Sequence, residues 1–231
     1  MPKSVFVNFS KNNTFGCDQH CPFCEWTKQN FNTYYCPSKE DLKLFNNNFP
    51  DDEKWQISGG GDPLYNFEEN WPKLKELINN IHSLGHKVQI LTRKIDVVNK
   101  YFDILKDYVD YWYFSVDYTI SSDLKSVSSK LTLEHTYVNL VLNIKEDESL
   151  NWEKIEQTIK EYEPYVNSII FRNNFIHPIS HKLYREVREK LKNISEKTRF
   201  IPHSTSSIVL FLGKIMTCKQ IDEEYLKIKN K

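Results

Sequence analysis

The chain of 231 residues has no alanine, two methionines, six glycines and only five arginines among its 31 basic residues. It has no apolar run near the ~18 residues that a membrane-spanning helix requires. Its N-terminus, "MPKSVFVNFS", lacks the apolar core of a secretory signal. The 31 acidic residues balance the basic ones, and the net charge is zero. No broad positive field is therefore available for nonspecific nucleic-acid binding. These absences predict a cytoplasmic protein, away from membranes, where thiols stay reduced. Scarcity also makes each glycine and arginine informative, because lysine and asparagine are abundant.

What is plentiful is aromatic: 14 Phe, 13 Tyr and 5 Trp, ample for one sizeable core. Apolar and β-branched runs read as strands at 4–10, 54–60, 86–92, 111–117, 136–144 and 167–173. Amphipathic periodicity predicts helices over 70–85, 97–108, 151–165 and 180–194, with Gly85 as a C-cap and Pro164 closing the third. Residues 121–129 read as a helix or as a loop. Residues 200–220 predict one or two more strands about a Gly213-Lys214 turn. The alternation predicts a parallel α/β sheet with outer helices, open or partly closed into a barrel. One domain is expected, with its core in 1–175 and a helix and strand extension over 176–231. In such folds ligands sit at the carboxyl ends of the strands, which places the loops after 10, 58, 92, 115, 142 and 171 on one face.

Three of the five cysteines crowd into "FGCDQHCPFCEW" at 15–26. Cys17, Cys21 and Cys24 have the spacing C-x3-C-x2-C. Asp18, Gln19, His20 and Pro22 between them are not core residues, so a buried apolar cluster is not expected. Closely spaced thiolates hold iron–sulfur clusters or zinc. Three ligands on a four-iron cube leave one iron open, whereas a structural zinc takes four ligands. Zinc completed by Cys36 or His20 is the alternative, in a non-catalytic protein with a structural or electron-transfer role. A second motif, "QISGGGDPLY" at 56–65, holds three of the six glycines, Gly59, Gly60 and Gly61, after the second strand. Glycine lets backbone approach a ligand closely, although a plain βα turn also favours Gly and Pro.

The cysteine spacing, with Phe23 before the third cysteine and a strand before the loop, resembles the signature of radical S-adenosylmethionine (radical SAM) enzymes. By strand order the resemblance runs from about residue 4 to about residue 175. It implies a partial (β/α)6 TIM-like barrel of parallel strands with outer helices and a short C-terminal β extension. It implies a [4Fe–4S] cluster on Cys17, Cys21 and Cys24, with S-adenosyl-L-methionine on the open iron. A reductant such as flavodoxin or ferredoxin would then drive cleavage to a 5′-deoxyadenosyl radical, which takes a hydrogen atom from substrate.

Gly60-Gly61-Asp62-Pro63 is similar to the Gly-Gly-Glu-Pro-like motif with which the family receives the methionine ammonium. Asp is one methylene shorter than Glu, which moves that contact toward backbone carbonyls. The resemblance also assigns Ser115 and Asp117 to the ribose, where a turn with Asp as a local cap is the alternative, and Asn143 to another SAM contact; Phe23 would pack against the adenine or anchor the loop. Arg93 and Arg172 follow strands, and arginine pairs bidentately with a carboxylate of SAM or of substrate. Cys24-Glu25-Trp26 departs from the Cys-Asp-Thr of 7-carboxy-7-deazaguanine synthases, so that activity is not carried over. A tail closing the barrel mouth would offer His203, Ser204, Ser206, Ser207 and Cys218 to substrate, Cys218 as a hydrogen-atom donor. His82 and His86, near a helix end, are expected to face solvent. The substrate stays open between a nucleotide or modified base and a peptide or protein.

Overall fold

A computed structural model describes residues 3–10, 16–19, 21, 24, 33–117, 124–142, 149–173, 181–201, 208–211 and 213–217. The elements are β1 (Lys3–Val7), α1 (Lys39–Asn48), β2 (Lys54–Gly59), α2 (Phe67–Ser83), β3 (Lys87–Thr92), α3 (Ile95–Leu105) and β4 (Tyr111–Asp117). They continue with α4 (Lys125–Ser128), β5 (Thr136–Leu142), α5 (Trp152–Tyr162), β6 (Ser168–Asn173), α6 (His181–Ile194), β7 (Thr198–Ile201), β8 (Ile208–Phe211) and β9 (Lys214–Thr217). The expected strands and helices are present with ends shifted by a few residues. The ambiguous 121–129 stretch contains the single helical turn α4.

Local chemistry accounts for several boundaries. Ser38 Oγ accepts from Asp41 N at 3.1 Å while Asp41 Oδ2 accepts from Ser38 N at 2.9 Å, a reciprocal cap that starts α1. Gly85, at φ 91°, turns the chain out of α2 in a conformation that side chains with a Cβ rarely adopt. Pro164 sits in the short 3-10 turn that ends α5.

All nine strands form one sheet, in the order β7-β6-β5-β4-β3-β2-β1-β8-β9. Neighbours from β7 through to β8 are parallel, and only β8–β9 is antiparallel. Two features differ from expectation. The parallel series does not stop near residue 175, because α6 delivers β7 alongside β6 in the same sheet. The last strands lie on the outer side of β1, where β8 pairs in parallel. Closing a barrel would require that edge of β1 for β7, so the sheet stays open.

Residue parity divides the sheet into two unlike faces. Val5, Val7, Trp55, Ile57, Val88, Ile90, Trp112, Phe114, Val138, Leu140, Ile169 and Phe171 join one apolar cluster with helix residues such as Phe45, Leu77, Val98, Ile159 and Leu191. The alternate positions, including Gln56, Ser58, Gln89, Tyr113, Asn139, Val141 and Ile170, are buried yet stand outside that cluster. A strand order that always advances one way, joined by right-handed crossovers, lays every helix on one face. Among the described residues the second face is therefore buried without helices. No described helix is long and apolar enough to cross a membrane.

The helix-side packing also corrects the reading of the two histidines. His86 is only 4% exposed. It stacks on Trp55 at 4.0 Å, and its ring nitrogens meet Asp52 O and Asn46 Oδ1, each at 2.6 Å. His82 is half-buried against Asp110 at 2.9 Å. Both serve the packing of α1, α2 and the strand entrances.

Candidate functional site

Because β1 to β7 run parallel, their carboxyl ends share one edge of the sheet. The chain leaves β1 at Asn8, which exchanges two backbone hydrogen bonds of 2.8 Å with Tyr35. The excursion that carries the three loop cysteines thus starts and ends at one point beside β2. Its entry is Gly16, whose carbonyl accepts from Asp62 N at 3.0 Å. That bond joins the cysteine loop to the glycine turn, two segments distant in sequence.

The contact is close enough to require glycine. A Cβ on Gly61 would stand 2.3 Å from Gly16 O. A Cβ on Gly16 would stand 2.1 Å from Asn8 Oδ1, and one on Gly59, at φ 155°, 2.4 Å from Val7 O. Gly60 is buried between them. The turn therefore presents bare backbone both to β1 and to the cysteine loop.

Asp62 is buried, and its carboxylate is fully engaged. It accepts from Leu64 N at 2.9 Å, from Thr92 Oγ1 at 2.8 and 3.0 Å, and from Arg93 N at 2.8 Å. Burial raises its pKa against those hydrogen bonds. The side chain thus braces the end of β3 against the end of β2, and the Asp62 backbone is engaged too, its N–H with Gly16 O and its carbonyl with Tyr65 N. Arg93 enters this brace through its backbone.

Lys94, 9% exposed, reaches back to the cysteine loop, with Nζ 2.7 Å from Asp18 Oδ2. Burial alone would raise the Asp18 carboxyl. Hydrogen bonds from Lys94 and Gln19 outweigh burial and hold it below its ordinary range. Next to it, burial, the Asp62 carboxylate and the neighbouring Cys21 push the Cys17 thiol up to about 12. Cys24 N donates to Cys21 O at 3.0 Å, closing a turn between those two cysteines.

Among the described residues no three His, Cys, Asp or Glu side chains gather close enough to hold a single metal ion. Cys36 is half-buried elsewhere, lining a cleft between α1 and α2 with Tyr34, Lys73 and Glu76.

Ser115 lies on the helix-free face opposite Asn139, and Asp117 closes β4 opposite Val141. Arg172 lies within β6 on that face, and its charge offsets part of the rise that burial imposes on the Tyr113 hydroxyl. Phe23, Asn143, His20, His203, Ser204, Ser206, Ser207 and Cys218 lie outside the described residues. The structure thus joins Gly59, Gly60, Gly61 and Asp62 to the entry of the cysteine loop. Sequence reasoning missed Asn8, Asp18, Thr92 and Lys94, which hold that junction. A Thr at a strand end two residues before Lys94 was the one available signal. No protein-family model matches the chain, and no curated protein matches it.

Proposed function

We propose that the chain is a radical SAM enzyme acting on a small molecule or a peptide, with Cys17, Cys21 and Cys24 as ligands of a [4Fe–4S] cluster. The observation that carries this reading is the backbone bond between Gly16 and Asp62, which seats the cysteine loop directly on the glycine turn. A metal knob that merely folds a loop has no need of a glycine pocket beside it. The donor set is of the right kind for a cluster: it consists of three thiols, the ligand that iron–sulfur clusters take. Bound there, the cluster would hold SAM at its open iron and supply the electron that cleaves the sulfonium, giving a 5′-deoxyadenosyl radical for hydrogen abstraction from substrate.

The chain's own residues supply position. Lys94 and Asp18 tether the loop, and Asp62 fixes the turn so that the backbone of Gly59, Gly60 and Gly61 faces the methionine end of SAM. Ser115, Asp117, Asn143 and Phe23 are the proposed contacts of the ribose and adenine. With its thiol pushed up to about 12, Cys17 must give up a proton when it becomes a ligand. The buried helix-free face supports a sheet coiled as a partial barrel around the ligand. A cytoplasmic setting and a flavodoxin or ferredoxin donor complete the proposal, since reduced thiols and a low-potential electron are both required.

The test is anaerobic reconstitution with iron and sulfide, then dithionite and SAM, with 5′-deoxyadenosine read by chromatography. Wild type should form it, and Cys17→Ala, Cys21→Ala and Cys24→Ala should each abolish it. A colourless protein holding stoichiometric zinc, or product from any of the three variants, defeats the assignment.

A further inference from the structure

The helix-free face carries buried polar groups that the cysteine and glycine site does not use. Asn139 and Gln56 are each 6% exposed, and neither side-chain oxygen meets a donor among the described residues. The Nε of Arg172 is likewise buried without an acceptor among them. Buried polar groups are nearly always paired, so orphans gathered on one face point to an absent partner.

Two of these groups are neighbours. Asn139 and Arg199 both stand opposite Ile170, on β5 and β7, and Arg172 lies two residues along β6 on the same face. Diagonal neighbours of this kind are ~7–8 Å apart. Two of the chain's five arginines thus share one patch. The positive charge of Arg172 acts on the Tyr113 hydroxyl across β5, and the Arg172 Nε is buried without an acceptor among the described residues. Tyr113 in turn stacks on Tyr137 at 5.5 Å and 18°, giving the patch a rigid aromatic floor.

Arg172 is also far from the methionine end of the proposed cofactor. β6 is four strands from β2. At ~4.8 Å per strand that is ~19 Å along the sheet. That spacing assigns the glycine turn and Arg172 to different groups, and we assign Arg172 to a second molecule.

We propose that Tyr113, Asn139, Arg172 and Arg199 form the substrate subsite, and that it takes a small organic carboxylate bearing an N–H or O–H donor. The word substrate rests on the radical SAM reading; the carboxylate site itself does not. The Nε edge of Arg172 and the adjacent Nη present two parallel donors that match a carboxylate. Asn139 Oδ1 accepts from the ligand's own donor, and Arg199 adds positive charge at the rim.

The probe is hippurate, which has a carboxylate, an amide N–H and a flat ring, compared with its neutral amide, hippuramide. Binding of both to the full chain is measured by calorimetry in wild type, Arg172→Gln, Arg172→Lys and Asn139→Leu, with SAM titrated separately. Wild type should prefer hippurate by about tenfold or more, as expected for a charge-assisted bidentate pair. Arg172→Gln should erase that preference, Arg172→Lys should keep only part of it, and Asn139→Leu should weaken hippurate several-fold. SAM affinity should stay within about twofold of wild type in all three.

Equal or absent binding of the two probes by wild type overturns the subsite. So does an Arg172→Gln variant that loses SAM as strongly as hippurate, which would return Arg172 to the cofactor. Failure of wild type to form 5′-deoxyadenosine, with the hippurate preference intact, removes the radical reading and leaves the carboxylate site standing.

Discussion

Gly61→Ala tests the junction on which the functional reading depends. The new methyl would lie 2.3 Å from Gly16 O and 2.9 Å from Gly16 C, both backbone atoms that no rotamer change can move. Reaching an ordinary contact of 3.4 Å requires the two segments to part by roughly 1 Å. The Asp62 N to Gly16 O distance would grow from 3.0 Å to about 4 Å, beyond hydrogen bonding. The loss of that bond costs ~1 kcal/mol where water replaces the partner and up to ~3 kcal/mol where the backbone N–H is left stranded. A cost of ~1–3 kcal/mol shifts the docked loop toward the undocked one by roughly five- to a hundredfold.

Because Cys17 follows Gly16 directly, the readout is iron and acid-labile sulfide per chain after anaerobic reconstitution. The urea midpoint reports global folding alongside. Gly85→Ala is the control. Nothing stands within 4 Å of its Cβ, but φ of 91° imposes a strain of ~1–2 kcal/mol far along the chain from the loop. Gly61→Ala should lose iron out of proportion to its stability, and Gly85→Ala should lose stability and keep iron. Wild-type iron in Gly61→Ala would refute the view that this close approach positions the cysteines.

Further outcomes are expected at the Lys94–Asp18 pair and at Cys36. Lys94→Met should cost about 1 kcal/mol at neutral pH, a screened value because the Asp18 side chain is half exposed. Asp18→Asn should cost more, because it leaves the buried Lys94 ammonium without its partner. Asp18 is held below its ordinary 3.8 and Lys94 above its ordinary 10.5. Their contribution is therefore full between those values, is lost as pH falls through the depressed Asp18 pKa, and is lost as pH rises through the raised Lys94 pKa. Urea midpoints of wild type and Lys94→Met should converge in strong acid, and a constant difference down to pH 2 would contradict the pairing. Cys36→Ser should retain full iron. Burial pushes its thiol up to about 11, so in folded Cys17/Cys21/Cys24→Ala protein Cys36 should resist iodoacetamide at pH 8, and rapid labelling would count against its packing.

The sheet was legible because its helix-side residues alternate with near-regularity, as in "KWQIS" and "YWYFSV", and because glycine and proline punctuate the helices. Ordinary residues were harder to read. Lys94 looks like any other lysine in a lysine-rich chain, and its role exists only because β3 ends beside the cysteine loop. For Asp62 the expectation was that a side chain one methylene shorter than Glu moves the ligand contact toward backbone carbonyls, but the sequence did not say where the carboxylate goes. It finds Leu64 N, Thr92 Oγ1 and Arg93 N within reach, donors that only the fold brings together. His86 read as exposed because its partners, Trp55, Asn46 and Asp52, come from elsewhere in the chain, and no local pattern announces a stacking partner. The seventh parallel strand was hidden in "TRFI", four residues too short to carry a period.

The C-terminal strands give the open sheet its consequence. In a closed eight-stranded barrel the interior is filled by layers of bulky branched side chains, and its packing contributes stability. Here the equivalent positions include Gln56, Gln89, Ser115 and Asn139, which fill space poorly and demand partners. Such residues would weaken a closed barrel. They suit a sheet whose β1 edge is taken by β8, because that strand blocks closure onto β7. Topology and side-chain chemistry therefore converge on the same division of labour. The helix-side cluster holds the fold, and the polar face is the one on which the proposed ligand would sit.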